Sequence, residues 1–512
     1  MIFVILATII ALGLAHYYFT KKYKYWEEHG IIHHIKCNRY METYRFLIKK
    51  FVMYDDIMED YNAFPDKQVY GVYAFGLPQL MIKDPDILRN ICVKDFDHFV
   101  NHIDAFFKHD RLFGKSLFAL KDKKWRDMRT IMTPVFTGSK LRGLVQLLSE
   151  CGEQINLHYA QKYKDQDDKV LKIDIMDIST RFTNDVIASA VFGIKVNSLT
   201  DPENEFYLAG NEIIKFPAWR FIMIMMLPSL SKLTKMGFAS KHIYNFFIKL
   251  VEDTIRIRTE RNIIRYDIIH LLLEARKEQM KAIETKRASN ENVDVLSKNL
   301  LTDEDITAQA FIFFLAGYSN VAILMSFAAY ELAVHPDVQV KLQKEIESLI
   351  KENGKLDYDV IKKMKYLDMV VSETLRKWPP LPAIDRECNK AYKIETNNDI
   401  IEVKPGMIIS IPVLGLHYDP KYFPNPNKFD PERFNDENKA KMNPYTYMPF
   451  GIGPRICIAN RFVILETKLF LINLLLKFDI LPTEKTPIPL VLAGGNVIKP
   501  KDDFSLCLKL RN

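Results

Sequence analysis

The hydrophobic pattern changes character several times along the chain. Met1 to Phe19 (MIFVILATIIALGLAHYYF) holds no Lys, Arg, Asp or Glu. Roughly 20 apolar residues match the thickness of a bilayer core, and the run has no polar face of the kind a buried soluble helix would show. Lys21, Lys22 and Lys24 follow at once. This predicts a membrane anchor at 1–19 with the rest of the chain on the cytosolic side. A cleaved signal peptide, cut near Gly13-Leu14-Ala15, is the competing reading, but no basic residue precedes the run. Residues 20–60 read as a charged helical connector, in which His33 and His34 resemble a metal pair only superficially and are expected to be exposed. Val69–Ile82 is β-rich, with Gly71, Gly76 and Pro78 as turn signals.

Helical spacing then dominates. Asp84 to Asn101 begins a helix that ends in a loop. Lys121 to Ile131 is amphipathic and stops before Pro134, and helices continue to about residue 280 with breaks at Pro217 and Pro228. Lys277–Leu300 is charged and irregular and reads as an exposed loop. Thr302 with Asp305 fits a capping box, opening an apolar helix that ends before Pro336. That helix spans about 50 Å, so it must cross the domain. Helices at 336–352 and 360–377, a mixed stretch at 380–415, a Pro/Asn-rich coil from Asp419 to Phe450 and one last helix complete the chain. The prediction is a mainly α fold with a small β-sheet region (α+β). With no linker and no repeat, it forms a single large domain, 61–512, behind the anchor and connector.

Net charge is +7, from 71 basic and 64 acidic residues. Spread over 512 residues, this is too diffuse to argue for nucleic acid. The six cysteines are far apart and none forms a CxxC, so neither a disulfide framework nor a zinc ribbon is indicated. No N-x-S/T sequon occurs, in keeping with a chain that does not face the secretory lumen.

Two local features carry chemistry. The long helix turns small and polar at its centre: Ala316, Gly317, Tyr318, Ser319, Asn320. Glycine costs a helix about 1 kcal/mol against alanine, so the patch needs a reason. Further on, Phe450 to Arg461 reads FGIGPRICIANR. Gly451 and Gly453 permit a tight turn, Pro454 stiffens it, and Cys457 stands behind Arg455 just before a helix. That setting lowers a thiol pKa and suits a thiolate ligand; a buried cysteine in a Gly-rich turn is the plainer reading of the spacing alone.

The full string resembles the haem-binding loop of cytochrome P450, F-x-x-G-x-R-x-C-x-G, matched by Phe450, Gly453, Arg455 and Cys457, with Ala459 in place of the last glycine. Three more motifs stand in that family's order, so the resemblance covers essentially the whole chain. Glu373-Thr374-Leu375-Arg376 is its E-x-x-R, and Arg433 of Pro431-Glu432-Arg433-Phe434 completes a structural Glu–Arg–Arg cluster. Trp125-Arg126-Asp127-Met128-Arg129 places Trp125 and Arg129 on one helix face. The resemblance implies that Cys457 is the axial ligand of haem b iron. It also implies that Trp125, Arg129, Arg386 and Arg455 hold the haem propionates and that electrons come from NADPH through cytochrome P450 reductase. Cytochrome b5 is a further expected partner. Lys121, Lys123, Lys124 and Arg126 would lie where the acidic reductase docks.

Phrases such as WRDMRTIMTPVFT and ETLRKWPPLP resemble the microsomal insect branch that handles xenobiotics. This implies a location on the endoplasmic reticulum membrane, contact with lipid and apolar small-molecule substrates. Phe106, Phe107, Leu117 and Phe118 would roof the haem, and Phe216–Pro228 would form a channel mouth dipping into lipid. Two features depart from the family. No Pro-rich hinge follows the anchor, the first proline being Pro65. In the distal helix, where the family has A/G-G-x-D/E-T-T/S, the acid slot is Ser319, the threonine slot is Asn320 and the next is Val321. Ala316 and Gly317 would leave space for oxygen and substrate, while Ser319 and Asn320 can hold water but supply no ionisable acid. The expectation is a monooxygenase with leaky coupling of NADPH to product. A P450-fold isomerase or dehydratase that needs no reductase, and a haem-bearing binder without turnover, are the alternatives.

Overall fold

The structure is a computed structural model. It describes residues 23–511 apart from 37–43, 46–47, 49–50, 75, 104–109, 165–169, 216–219, 221–236, 238, 266, 290–299, 495–497 and 503, and ahead of these Gly13 and Lys21. Apart from Gly13 and Arg220, the expected anchor at 1–19 and the expected channel mouth at 216–228 therefore lie outside the described residues.

One helix organises the rest. Its neighbours in chain order are α1 (Met53–Asn62), α2 (Asp122–Met132), α3 (Gly138–Lys164), α4 (Ile175–Ile187), α5 (Glu205–Ile214), α6 (Lys241–Arg261) and α7 (Ile268–Ala288). The helix itself is α8 (Asp303–Val334), followed by α9 (Pro336–Asn353), α10 (Lys365–Lys377), α11 (Val413–Tyr418) and α12 (Asn460–Lys477). The capping box at α8 forms as expected, Thr302 Oγ1 accepting from the Asp305 N–H and the Asp305 carboxylate accepting from the Thr302 N–H. Among the described residues α8 is the one helix long and apolar enough to cross a membrane, yet it lies in the protein core. Its two halves serve different cores. Ile306 to Tyr318 packs with α5, α6 and α7, while Val321 to Ala333 packs with α3, α4, α10 and α12. The polar patch Ser319-Asn320 falls at the junction.

The sheets are small. Strands β1 (Val69–Ala74) and β2 (Leu77–Ile82) form a hairpin. β4 (Ile384–Glu387) and β7 (Ile408–Ile411) extend it in the order β1-β2-β7-β4, β2 and β7 running parallel. Between these two in sequence lies a separate hairpin of β5 (Tyr392–Glu395) and β6 (Ile400–Val403). A third sheet, ordered β3-β9-β8, joins β3 (Leu171–Asp174), β8 (Phe478–Pro482) and β9 (Ser505–Leu510).

Four sequence expectations change. Lys277–Leu300 is not all loop, because α7 runs to Ala288 with its charges on a solvated face. The helix expected at 360–377 is two, broken at Met364. α12 is not the end of regular structure; the β8 and β9 strands follow it. The described part of 20–60 is not an exposed connector. Trp26 is fully buried, its Nε1 donates to Val72 O at 3.0 Å and its ring lies over Gly71. His33 bridges to Gly71, and His34 Nδ1 meets Asp60 at 3.1 Å, so both histidines are half-buried.

Candidate active site

A cavity of about 570 Å³ lies between the middle of α8 and the loop that ends in Cys457. The loop is shaped by two glycines with positive φ, +76° at Gly451 and +71° at Gly453. Gly453 has a second constraint: a Cβ there would sit 1.9 Å from the Cys92 carbonyl oxygen. The chain then turns back, the Cys457 N–H donating to Phe450 O at 2.9 Å, and α12 begins at Asn460. Phe450, Cys457 and Ala459 all face the cavity.

The thiol is not simply acidic, as its place before a helix suggests. Burial pushes Cys457 up, while the Ala459 N–H and the Arg129 guanidinium pull it down. The arginine that acts on it is thus Arg129, on α2, and not Arg455. Arg455 instead cross-links the loop at the cavity edge, with Nε on Val100 O at 2.8 Å, Nη2 on Leu120 O at 2.7 Å and its guanidinium 4.1 Å from the Trp125 ring. Burial, with Arg386 nearby, pushes its pKa down to about 9.

Trp125, Arg129, Arg386 and Arg455 converge on the cavity from α2, β4 and the cysteine loop. Arg386 is not a strand-surface charge. It is 1 % exposed, and its Nε has no hydrogen-bond partner. Nη1 donates to Asp385 O at 2.7 Å. Arg129 is half-buried, and its guanidinium meets no protein acceptor among the described residues. Guanidinium groups left short of acceptors in a desolvated site call for an anion. One thiol on a wall of the cavity and this cationic edge fit a thiolate-ligated haem, with sulfur for the metal and donors for its carboxylates.

Behind the loop, Glu373 and Arg376 are fully buried on α10. Arg376 Nε and Nη2 donate to the two carboxylate oxygens at 2.7 and 2.9 Å. Arg376 also donates to His417 O at 3.0 Å and Pro426 O at 2.8 Å, tying α10 to α11 and the coil after it. Arg433 Nε approaches Glu373 at 3.4 Å without hydrogen-bond alignment. His417 Nδ1 meets Arg376 O at 3.1 Å, and its Nε2 accepts the Met448 N–H at 3.1 Å just before the cysteine loop.

On the opposite wall Ala316, Gly317, Asn320 and Val321 line the cavity, and Ser319 does not. Residue 319 lies about 100° round the helix from residue 320, so the acid slot of the motif and the threonine slot present different faces. Gly317 has a packing role as well as an open one: a Cβ would stand 2.9 Å from Ile187 Cδ1. The glycine lets α4 approach α8. Leu117 and Phe118 also line the cavity, while Phe106 and Phe107 lie outside the described residues. The basic stripe is mostly paired within the protein: Lys121 with Glu387 at 2.6 Å, Lys123 with Asp127 at 2.7 Å and Arg126 with Asp97 at 2.5 Å. Lys124 carries no ion pair among the described residues.

Sequence reasoning missed His102 and Glu466, both of which line the cavity. Glu466 had a visible signal, a carboxylate inside the apolar run RFVILETKLFLI. It is fully buried, both oxygens lack partners, and burial holds it far above the usual carboxylate range. His102 had no comparable signal.

Comparison with known proteins agrees with this geometry. A family model described as Cytochrome P450 matches residues 44–508. The chain is 41% identical over 481 residues to Probable cytochrome P450 9f2 of Drosophila melanogaster, covering 91% of each protein. It is 40% identical to Cytochrome P450 9e2 of Blattella germanica, over 84% of this chain and 83% of that one. Cytochrome P450 6k1 of the same species is 35% identical, over 96% of this chain and 93% of the relative.

Proposed function

The chain belongs to the cytochrome P450 family, and from that premise we propose how its residues divide the work. It is a haem-thiolate monooxygenase acting on apolar small molecules. When bound, the haem iron activates O2 and inserts one oxygen atom into the substrate, using NADPH electrons delivered by the reductase.

The cavity supports the following roles. Cys457 would hold the haem iron through its sulfur, its backbone fixed by the bond to the Phe450 carbonyl and by the two positive-φ glycines. Arg129 and Arg386, with Trp125 beside them, bind the cofactor's carboxylates, while Arg455 both faces the site and braces the loop against residues 100–120. Glu373, Arg376 and Arg433 fix the frame behind that loop. Leu117, Phe118, Phe313 and Val321 give the substrate side an apolar wall that excludes water. Asn320 is the polar side chain of α8 on that wall, and it orients water by hydrogen bonds through which a proton reaches the site. Residues 1–19 act as an anchor in the endoplasmic reticulum membrane. The described chain from Tyr23 onward then forms the haem domain, with lipid and cytochrome b5 as further partners.

The observation that carries this reading is a single half-buried cysteine facing an α8 patch across a cavity with a cationic edge. Its test is the reduced CO complex of Cys457→Ala. The thiolate-type absorption band should vanish; a retained band would overturn the assignment. Turnover of an apolar probe should also require both NADPH and reductase.

A further inference from the structure

Tyr318 stands on α8 next to Gly317 and two residues before Asn320, yet its ring turns from the cavity those residues line and packs on α5. It is 1 % exposed. A Cβ at Gly210 of α5 would sit 2.4 Å from Tyr318 Cζ, so α5 accepts a poor helix residue there to let the ring lie flush. The ring centroid is then 6.4 Å from that of Tyr207, also on α5. Thr183 Oγ1 of α4 donates to Tyr318 O at 3.1 Å and fixes the backbone behind the ring.

The two phenols meet acceptors of different strength. Tyr318 donates to the Asn211 amide oxygen at 3.2 Å, and Tyr207 donates to Asp177 Oδ1 at 2.8 Å. Asp177 ends the line with its side chain partly exposed, and Arg181 Nε donates to its other oxygen at 2.7 Å. The Arg181 guanidinium also lies 4.4 Å from the centre of the Tyr207 ring. Packing alone would be met by two phenylalanines. Here each hydroxyl has a partner, and the basicity of that partner rises toward solvent.

Burial raises the pKa of both phenols, so both stay protonated near neutral pH. A neutral phenol gives up an electron readily only if its proton leaves with it. Tyr318 has an amide beside it, which scarcely takes a proton. Tyr207 has a carboxylate, which does. The fixed charge of Arg181 over the Tyr207 ring opposes a second positive charge there and favours that proton's departure. An electron vacancy formed near α8 therefore runs downhill from Tyr318 to Tyr207.

We infer that Tyr318 and Tyr207 form an electron route between the cavity and the surface, which discharges oxidising equivalents when no substrate takes them. In each passage Tyr207 gives one electron inward through Tyr318, and its hydroxyl proton moves to Asp177. A solvent reductant such as ascorbate then returns the electron, and Asp177 returns the proton. Two passages supply the electrons that reduce a hydroperoxide to an alcohol and water, and the two protons consumed equal the two that ascorbate releases. The inference rests on the haem reading of the cavity, where the peroxide is consumed, but fails separately from it. Cys457→Ala removes the thiolate CO band, whereas Tyr207→Phe leaves it in place.

The test mixes substrate-free ferric holoenzyme with cumene hydroperoxide, freezes it rapidly and records electron paramagnetic resonance. A tyrosyl signal should appear and should narrow when the protein is grown on ring-deuterated tyrosine. Tyr207→Phe should lose most of that signal, and Asp177→Asn should weaken it. With ascorbate present, both variants should bleach their haem roughly ten-fold faster than the wild type, the rate equivalent of the charge-assisted hydrogen bond that each removes. No tyrosyl signal in the wild type, an undiminished signal in Tyr207→Phe, or bleaching of Tyr207→Phe at the wild-type rate would each overturn the inference. Should Asp177→Asn not fold once Arg181 loses its partner, Tyr207→Phe, which keeps the ring and removes only the hydroxyl, still decides it.

Discussion

Arg376 and Arg386 are both fully buried guanidinium groups, and their surroundings differ completely. Arg376 holds a carboxylate with two donors and carbonyls of two other segments with the rest. Arg386 has a bare Nε, its neighbour's carbonyl and a long approach to His102. A buried cation with every donor used is scaffold. One left short of acceptors keeps its donors for a group that the chain does not supply. The contrast separates frame from binding edge without reference to any relative.

The sharpest way to break the comparison is to remove an anion from the satisfied side. Glu373→Ala strands Arg376 and should cost about 3–5 kcal/mol, the usual penalty for a buried charge deprived of its partner. Denaturant unfolding and the yield of soluble holoprotein measure it. A loss below about 1 kcal/mol would place this cluster with ordinary surface pairs.

The matching change on the other side is Arg386→Gln. It should leave the unfolding midpoint nearly unchanged and speed haem loss roughly ten-fold, since a charge-assisted contact to the cofactor becomes a neutral one. If Arg386→Gln instead behaved like Glu373→Ala, with lowered stability and normal retention, the distinction between the two arginines would collapse.

His417 sharpens the scaffold side through pH. Burial and Arg376 hold its pKa down to about 3, against 6.5 for a free histidine. The folded state therefore binds the proton less well than the unfolded one. The stability from the neutral ring is complete above pH 6.5 and drains away as the pH falls toward 3. His417→Gln should be less stable at pH 7 and should lose part of that acid slope. An acid slope identical to wild type would mean that His417 does not titrate with unfolding.

The smallest effect belongs to α8. Asn320→Thr should lower hydrogen peroxide released per product, whereas Ser319→Glu should change it little, because only residue 320 faces the cavity. A larger effect from residue 319 would mean that the helix rotates in the working enzyme.

Much of this was legible in the chain because its signals are local. The capping box of α8, the helix ended by Pro336, the Gly-Gly turn before Cys457 and the i, i+3 pair Glu373–Arg376 each depend on residues within a few positions. Other features depend on distant partners. The parallel pairing of Leu80 with Ile409 joins the two ends of the domain, and no local pattern announces it. β3 and β9 were missed for the same reason: each is short and gains its identity from the other. The resemblance offered Arg386 as a propionate arginine, with a strand-surface charge as the alternative, and only the long-range pairing of β4 shows that its side chain is buried. The charge pairing of Lys121 and Arg126 likewise rests on Glu387 and Asp97. A count of lysines alone made that helix look more basic than it is. Gly317 was expected to leave space for oxygen and substrate; the group that a Cβ would meet there is Ile187 of α4, which no local pattern announces.

Trp26 has a consequence for mechanics. Its indole is locked beneath β1, the Tyr73 hydroxyl donates to Tyr23 O at 2.8 Å, and the rings of Tyr23 and Tyr73 lie 4.6 Å apart. Whatever precedes Tyr23 is thus fastened to the sheet as a bracket is fastened to a wall, and not as a rope to a float. A pull or tilt applied there reaches β1 directly, and β1 shares a sheet with β4, which carries Arg386. The lack of a proline-rich hinge is then no loss of stiffness, because the torque is borne by an aromatic rivet.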